Sequence, residues 1–446
     1  MSQTPGLITA APGSGSGKTV VTLGLLRALR DSGIRVAGAK AGPDYIDPAF
    51  HSAASDTPAI NLDPWAMRPE TLSGLITATG EDSDLIVAEG VMGLFDGANL
   101  PGRPDAGSTA DLAALTGWPV ILVIDAARQA ASAAALLAGF AGHREDVPVT
   151  GVIFNRVASP AHEAVLRDSV AASCPGIKVL GAVHRNPALT LPERHLGLVQ
   201  AGEHTALNDF ISAAGAMMAG AIDLSAIVAM ARPGHRDNST LAAMPQIPPL
   251  GQRIAVARDD AFAFSYDSVT NGWRRQGANI EFFSPLADEA PPADADAIYL
   301  PGGYPELHGE TLAGANRFMD GLRVAAGKGV AIFGECGGYM VLGQGLVDAA
   351  GRRHEMAGLL PVETSFATRK LHLGYRSVAT AAETVLGPKG TLFKGHEFHY
   401  ASILSEGNGS SLFIASNARG DDLGPAGLSI GSVAASFIHL IDRASP

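Results

Sequence analysis

Only two cysteines, Cys174 and Cys336, occur among 446 residues, and they sit far apart in unlike contexts. No zinc-ligand spacing exists, and a cytosolic reducing compartment is the expected home. Charge is sparse as well. Asp, Glu, Lys and Arg make up 17% of the chain, with a formal net charge of -12, which argues against nucleic acid or an anionic membrane as a general partner. An anionic small ligand stays open, because local arginines decide that. The N-terminus, Met1-Ser-Gln-Thr-Pro-Gly-Leu7, lacks a basic region followed by an apolar core, so no secretory signal is expected. Long apolar runs are also missing. The stretch worth testing as a membrane span, Ile211 to Ala231, is largely alanine, glycine and methionine, with Asp223 near its middle. An aspartate there costs about 2.5–3.5 kcal/mol on insertion scales, and alanine offers little in return. A buried soluble helix, or two short ones, is the expectation.

What is present supports large cores. Hydrophobic residues make up 46% of the chain and the length suits two or three domains; the 53 glycines point to tight turns and close backbone approaches. Leu7 to Ala11 reads as a strand, Pro12-Gly-Ser-Gly-Ser-Gly-Lys-Thr19 as a glycine-rich loop, and Val20 to Arg30 as an amphipathic helix. That is the context of a phosphate-binding loop. Backbone N–H groups of Gly13, Ser14, Gly15, Ser16 and Gly17 would cradle ATP phosphates at the helix N-terminus. Lys18 would reach the β- and γ-phosphates and Thr19 would hold Mg²⁺. Pro12 stands where the strict spacing asks for glycine, so the match is to a looser loop of small-molecule ligases.

A second strand, Val36–Lys40, runs into Ala41-Gly-Pro-Asp-Tyr-Ile-Asp-Pro-Ala-Phe-His51, which places Lys40, Asp44, Tyr45 and Asp47 just past a strand end. In an open parallel sheet that edge binds ligands. A third strand, Asp84–Glu89, delivers Glu89 to the same edge. Carboxylates beside a phosphate loop suggest Mg²⁺ ligation by Thr19, Glu89 and Asp47, and control of a charged substrate. Pro-Asp and Asp-Pro are also ordinary turn pairs. Val120–Asp125 and Gly151–Arg156 are further buried strands, and such β-α alternation implies a doubly wound parallel sheet. Asn155, at a strand end, is placed to read adenine, although Asn also simply ends strands. Val179–Val183 and Leu196–Val199 bracket Leu191-Pro-Glu-Arg-His195. Arg156, Arg185 and Arg194 could meet anions or merely be solvated. Cys174 shows no activating neighbour and reads as structural.

The proline-rich, polar stretch around 236–252 is the expected linker, separating a P-loop domain (1–235) from a second α/β domain (253–446). In the latter, Ile254–Arg258, Ile280–Phe283, Ala297–Leu300 and Val330–Gly334 read as strands. The last of these runs into Glu335-Cys-Gly-Gly-Tyr-Met340, a sharp turn that presents one thiol over a helix N-terminus. Helix dipole and backbone N–H groups there would favour a thiolate, so Cys336 is expected to be a nucleophile. Ser432 to His439 reads as one apolar run ending in a histidine, and Cys and His on separate strand ends suit thiol acyl chemistry.

Pro301-Gly-Gly-Tyr-Pro-Glu306, Gly334-Glu-Cys-Gly-Gly-Tyr-Met340 and the late His439 resemble the class I, triad-type glutamine amidotransferase domain. The N-terminal half resembles dethiobiotin synthetase. The whole chain resembles the cobyrinic/hydrogenobyrinic acid a,c-diamide synthase family of corrinoid biosynthesis, also through Gly42-Pro-Asp-Tyr-Ile-Asp-Pro48 and Gly395-His-Glu-Phe-His-Tyr400. The resemblance implies an ATP-dependent ligase that amidates the a and c acetate carboxylates of a corrin polycarboxylic acid with nitrogen from L-glutamine. Cys336 would attack glutamine with His439 as base, and backbone N–H groups near Gly303 and Gly337 would form an oxyanion hole. Ammonia would then displace phosphate from an acyl phosphate made with ATP and Mg²⁺. A glutamate two residues after the histidine is usual in related domains; here that position is Ile441. His396, Glu397 and His399 belong to a family motif without an assigned chemistry. Cobyric acid synthase and nickel-sirohydrochlorin diamide synthase are same-class alternatives, the former disfavoured by Pro-Asp-Tyr-Ile-Asp-Pro. A nucleotide-switch ATPase with a non-catalytic thiol domain is the alternative from another class. A homodimer is the expectation by analogy with dethiobiotin synthetase-like folds.

Overall fold

The computed structural model describes residues 4–98, 106–186, 189, 206–234 and 247–444, with the backbone alone of the paired segments 193–194 and 197–198. The 236–246 part of the expected linker lies outside the described residues, as do the side chains of Leu191-Pro-Glu-Arg-His195 and Leu196–Val199. The chain forms two compact units dividing at residue 243, except that residues 66–68 group with the second.

In the first unit, apolar strands alternate with helices, so each strand must pair in parallel with a neighbour reached by crossover. Seven parallel strands result: β1 Pro5–Ala10, β2 Val36–Ala41, β3 Ile60–Leu62, β4 Leu85–Glu89, β5 Val120–Asp125, β6 Val149–Val157 and β7 Lys178–His184, and the two-residue strand Arg232–Pro233 adds to β1 antiparallel as an eighth. The seven lie in the order β3-β2-β4-β1-β5-β6-β7, and each adjacent pair is parallel. Every residue of β2 and β4 is buried, as strands covered on both faces require. The three residues of β3 are too few to show a period in sequence, so Leu85–Glu89, expected as the third strand, is the fourth.

Helix α1 (Lys18–Asp31) buries most of its circumference, including consecutive residues Val21 to Leu26. A methyl at Gly24 would meet Met218 and the Ala214 carbonyl at 2.5 and 2.7 Å, so glycine sets the close approach of α1 to the helix Leu207–Ala221. The stretch tested above as a membrane span is part of two helices, Leu207–Ala221 and Leu224–Met230. Asp223 caps the second by accepting the Ala226 N–H at 2.9 Å. No described helix is long and apolar enough to cross a membrane.

The second unit is built on a ten-stranded sheet. Its first five strands, Asn279–Phe283, Arg253–Ala257, Ala297–Leu300, Ala331–Glu335 and Val433–Ser436, are parallel. Asp422–Ile430, Ser410–Asn417, His372–Thr380, Leu392–His399 and His439–Arg443 continue it antiparallel. The expected apolar run 432–439 is therefore two strands, broken at Phe437 and Ile438, and His439 begins the second of them. The final strand lies last in the pairing order, yet follows Val433–Ser436 after two residues. The antiparallel half must curl back to allow that. A buried cluster including Phe262, Phe318, Leu322, Ile332, Met340 and Leu346 fills one side of the parallel half.

Candidate functional site

Each unit carries one candidate site. In the first, Gly17 precedes α1 with φ 81°, a left-handed conformation that glycine adopts without strain. A methyl there would lie 2.2 Å from the Asn155 side-chain nitrogen. Asn155 donates to the Ser16 carbonyl at 2.9 Å, and its oxygen accepts the Arg156 N–H at 2.9 Å. Arg156 donates to the Gly15 carbonyl at 2.9 Å and to Asp125 at 2.6 Å. Asn155 and Arg156 thus brace the loop from behind. That is a bracing role which the strand-end position in the sequence did not reveal. Gly13 to Thr19 line a cavity of 720 Å³ whose far wall includes Arg185, Met217 and Met218. A helix N-terminus opening into such a space is an anion site.

Behind the loop lies a buried charge cluster at the carboxyl ends of β2 and β4. Thr19 Oγ1 donates to Glu89 Oε1 at 2.7 Å. Lys40 Nζ bonds Asp47, lies 3.2 Å from the same Glu89 oxygen and 3.8 Å from Asp44. His51 Nε2 meets the other Glu89 oxygen at 2.7 Å. Burial opposes the Lys40 charge, but Asp47, Glu89 and Asp44 outweigh it and hold its pKa above the usual lysine value. Burial likewise opposes the Glu89 carboxylate, which Lys40 and His51 keep well below its usual range. Asp47 is pushed up to about 6 by burial and by Asp44, against the pull of Lys40. Lys18 is lowered by burial and donates to the Met92 carbonyl at 3.2 Å. Lys40, Asp44, Asp47 and Glu89 are thus brought together. His51 joins them without having been singled out in the sequence, where only its place at the end of the Gly42–Asp47 motif hinted at it. Asp44 spends one carboxylate oxygen on the backbone of Ile46 and Asp47, the turn chemistry weighed above. Tyr45 is half-buried beside it.

In the second unit Cys336 sits between Ala331–Glu335 and the short helix Gly337–Leu342 with φ 48°, a strained turn that a non-glycine residue rarely adopts. The thiol does not carry the lowered pKa expected from its sequence context. Burial, then Glu306, pushes it up, and the Gly337 N–H offsets this only in part. A six-residue helix offers little dipole against full burial. His439 is 1% exposed, and burial, followed by His396 and His399, drives its pKa well down, so the imidazole is neutral. Both side chains crowd Gly302. A methyl built there would stand 2.4 Å from His439 Cε1, 3.2 Å from Nε2 and 3.3 Å from Cys336 Cβ. A thiol and a neutral imidazole against one glycine are the groups that a nucleophile and its general base require. Gly337 and Gly303 are adjacent too, since a methyl on Gly337 would lie 3.1 Å from Gly303 N, as a two-donor oxyanion site requires.

Ile441 is buried and apolar. Among the described residues, Glu335 brings a carboxylate to 3.9 Å from His439 Nδ1. Nothing in the sequence singles it out beyond its place directly before the cysteine. The Gly395–Tyr400 motif also finds its place. His396 stacks on His439 at 4.9 Å and 9° and meets the Tyr266 hydroxyl at 2.9 Å. His399 stacks on Phe437 at 3.9 Å, and Arg376, Glu397 and His399 form a chain of contacts at 2.8 and 2.9 Å. His372, Glu397 and His399 bring potential metal-binding atoms within 4.8 Å of one another. The two imidazoles are stacked 7° from parallel, so their in-plane lone pairs do not converge, and Arg376 already neutralises Glu397. We read the group as a polar brace for the segment before His439. Cys174 is buried and raised by burial, with Sγ 3.6 Å from the Ala134 carbonyl, as a structural thiol should be.

Comparison with known proteins agrees with this two-site layout. Residues 7–199 match the CobQ/CobB/MinD/ParA nucleotide binding domain and residues 253–445 the CobB/CobQ-like glutamine amidotransferase domain. The chain is 57% identical over 444 residues to hydrogenobyrinate a,c-diamide synthase of Brucella abortus, covering 98% of each chain. It is 56% identical to the protein of that name from Rhizobium meliloti and 48% identical to that from Mesorhizobium japonicum, in each case over 98% of this chain and 99% of the relative.

Proposed function

Because the chain belongs to the hydrogenobyrinate a,c-diamide synthase family, we propose that it amidates the a and c acetate carboxylates of hydrogenobyrinic acid, using ATP and nitrogen from glutamine. The observation that carries this is the coexistence of a braced phosphate loop in one unit and a Cys336–His439 pair over Gly302 in the other. One half activates a carboxylate and the other releases ammonia. The activity for which the relatives are named favours the metal-free ring over cobyrinic acid and over the cobyric acid and nickel-sirohydrochlorin alternatives.

In the second unit His439 Nε2 takes the Cys336 proton as sulfur attacks the glutamine amide carbon, and the developing oxyanion meets the Gly303 and Gly337 N–H groups. The C–N bond breaks, the nitrogen leaves as ammonia with the proton from His439, and water hydrolyses the thioester to glutamate. In the first unit the loop N–H groups and Lys18 bind the ATP phosphates, and the corrin carboxylate attacks the γ-phosphorus. Ammonia then displaces phosphate from the acyl phosphate. A carboxylate is otherwise a poor electrophile, which is the reason for ATP. Lys40 is buried and already paired with Asp47, Glu89 and Asp44, so its part is to hold these carboxylates in place rather than to meet the substrate.

Of the oxygen donors expected for Mg²⁺, Thr19 fits a direct ligand, whereas Asp47 is taken up by Lys40. Glu89 already accepts Thr19, Lys40 and His51, so Thr19 and the phosphates would be the direct ligands, with Glu89 orienting Thr19. Bound Mg²⁺ would neutralise charge on the β- and γ-phosphates.

The test is to incubate the full-length protein with ATP, Mg²⁺ and glutamine plus either hydrogenobyrinic acid or its cobalt-containing counterpart, and to follow products by mass spectrometry. A diamide from the metal-free ring is expected. No amidation of either ring would refute the proposal, and preference for the cobalt ring would reassign the substrate.

A further inference from the structure

The glutaminase lacks a carboxylate at the position two residues after its histidine, and the fold supplies one from elsewhere. Glu335 ends the strand that carries the nucleophile. Its Oε1 accepts the Leu440 N–H at 2.9 Å, and its Oε2 accepts the Tyr299 hydroxyl at 2.6 Å. Oε2 also lies 3.9 Å from His439 Nδ1. The carboxylate is therefore tied at both oxygens, to the residue after the histidine and to the neighbouring parallel strand, and cannot turn away from the ring. A methyl on Gly302 would meet His439 Cε1 at 2.4 Å, Nε2 at 3.2 Å and Cys336 Cβ at 3.3 Å, so the Nε2 edge of the ring and the cysteine share that glycine. Thiol at one ring nitrogen and carboxylate at the other is the arrangement a general base needs.

Resting on the reading of the second unit as a glutaminase, we propose that Glu335 is the positioning residue for His439. It accepts a hydrogen bond from Nδ1–H, holds the tautomer that leaves Nε2 free to take the Cys336 proton, and stabilises the imidazolium that results. Glu335 stays a carboxylate throughout: the thiol proton moves to Nε2 and leaves with ammonia, while the S–C bond forms and the C–N bond breaks. A separation of 3.9 Å is longer than a hydrogen bond, but catalytic contacts are often long before substrate binds and tighten once charge appears.

The neighbouring groups act in separable ways. His396 and His399 both disfavour charge on His439. Glu306, Glu397 and Glu335 itself all disfavour the Cys336 thiolate, Tyr299 holds Glu335, and Tyr266 acts on Tyr299 and His396. Burial raises the Glu335 carboxyl to about 7, against the donated hydrogen bonds of Tyr299 and Leu440. Glutamate release should therefore climb as pH rises through about 7 and Glu335 ionises.

The test uses the full-length enzyme, with glutamate release from glutamine followed against pH and corrin amidation followed with ammonium as donor. Glu335→Gln is expected to lower kcat for glutamate release roughly 10²-fold with glutamine KM within about twofold, and to flatten the limb near neutral pH. Glu335→Asp should recover part of the rate. Ammonium-dependent amidation should not change in either. Tyr299→Phe removes one donor to the carboxylate and should move the limb upward by roughly one to two pH units. Wild-type kcat and pH profile in Glu335→Gln would overturn the proposal. So would equal loss of both activities, which marks a structural role, and an unmoved limb in Tyr299→Phe. Normal glutamate release by Cys336→Ala would instead refute the glutaminase reading itself.

Discussion

Ionisation and burial pull against each other at Glu335. Its carboxyl is raised from 4.5 to about 7, so the folded state binds more protons than the unfolded state between those values. Stability therefore falls as pH rises through that window and levels off above about 7. A shift of this size corresponds to on the order of 3 kcal/mol for a buried group. Thermal melts of the wild type and Glu335→Gln at several pH values should diverge across the window, with the variant losing less stability on the alkaline side. Parallel melting curves would show that this carboxyl titrates normally. The same opposition explains why Cys336 disappoints as a resting thiolate. Its neighbours include Glu306, Glu335 and Glu397, and full burial removes the water that would solvate its charge. A thiol kept protonated until His439 accepts its proton is protected from stray oxidation.

Three strands and a glycine turn assemble the thiol site. Ala297–Leu300 runs into Gly302, Ala331–Glu335 runs into Cys336, and His439 opens the final strand. Gly302 is the point where these elements meet, because its missing side chain makes room for the His439 ring. Gly302→Ala would drive a methyl to 2.4 Å from His439 Cε1, and the ring must turn or the strand must shift. We expect glutamate release to fall by roughly 10²–10³-fold, since the general base and the proximity of the pair are both lost, while ammonium-dependent amidation persists. Steady-state assays with the two nitrogen donors check this; retained glutaminase activity would mean that the ring finds another place. At the same scale, Gly17 and Asn155 show the converse design: there the close approach holds a loop that must keep its amides pointed at phosphate.

Across the whole molecule the two chemistries reside in separate compact units, and mutations should separate accordingly. Cys336→Ala should abolish glutamine-dependent amidation and leave the ammonium-dependent reaction largely intact. Lys18→Ala should remove both, because phosphoryl transfer is common to them. Product analysis with each donor decides between these patterns; loss of both activities in a folded Cys336→Ala protein would sink the two-site model.

Local signals carried much of this. The Pro12–Thr19 loop, the strand ends at Lys40, Glu89 and Asn155, and the Gly-Glu-Cys-Gly-Gly turn were legible from spacing alone, because backbone conformation at glycine and strand periodicity are short-range properties. Hydropathy likewise showed that Asp223 breaks any membrane span, and the helix cap it forms is a local effect. Partnerships across distant strands were not legible. That Asn155 braces Ser16, that His51 closes the Glu89 cluster, and that Glu335 reaches His439 all depend on strand order and on the curl of the antiparallel half, 105 residues separating Glu335 from its Leu440 donor. Protonation followed the same division. A thiol above a helix start reads as acidic from its neighbours in sequence, but burial, which exists only once the chain has packed, raised it instead.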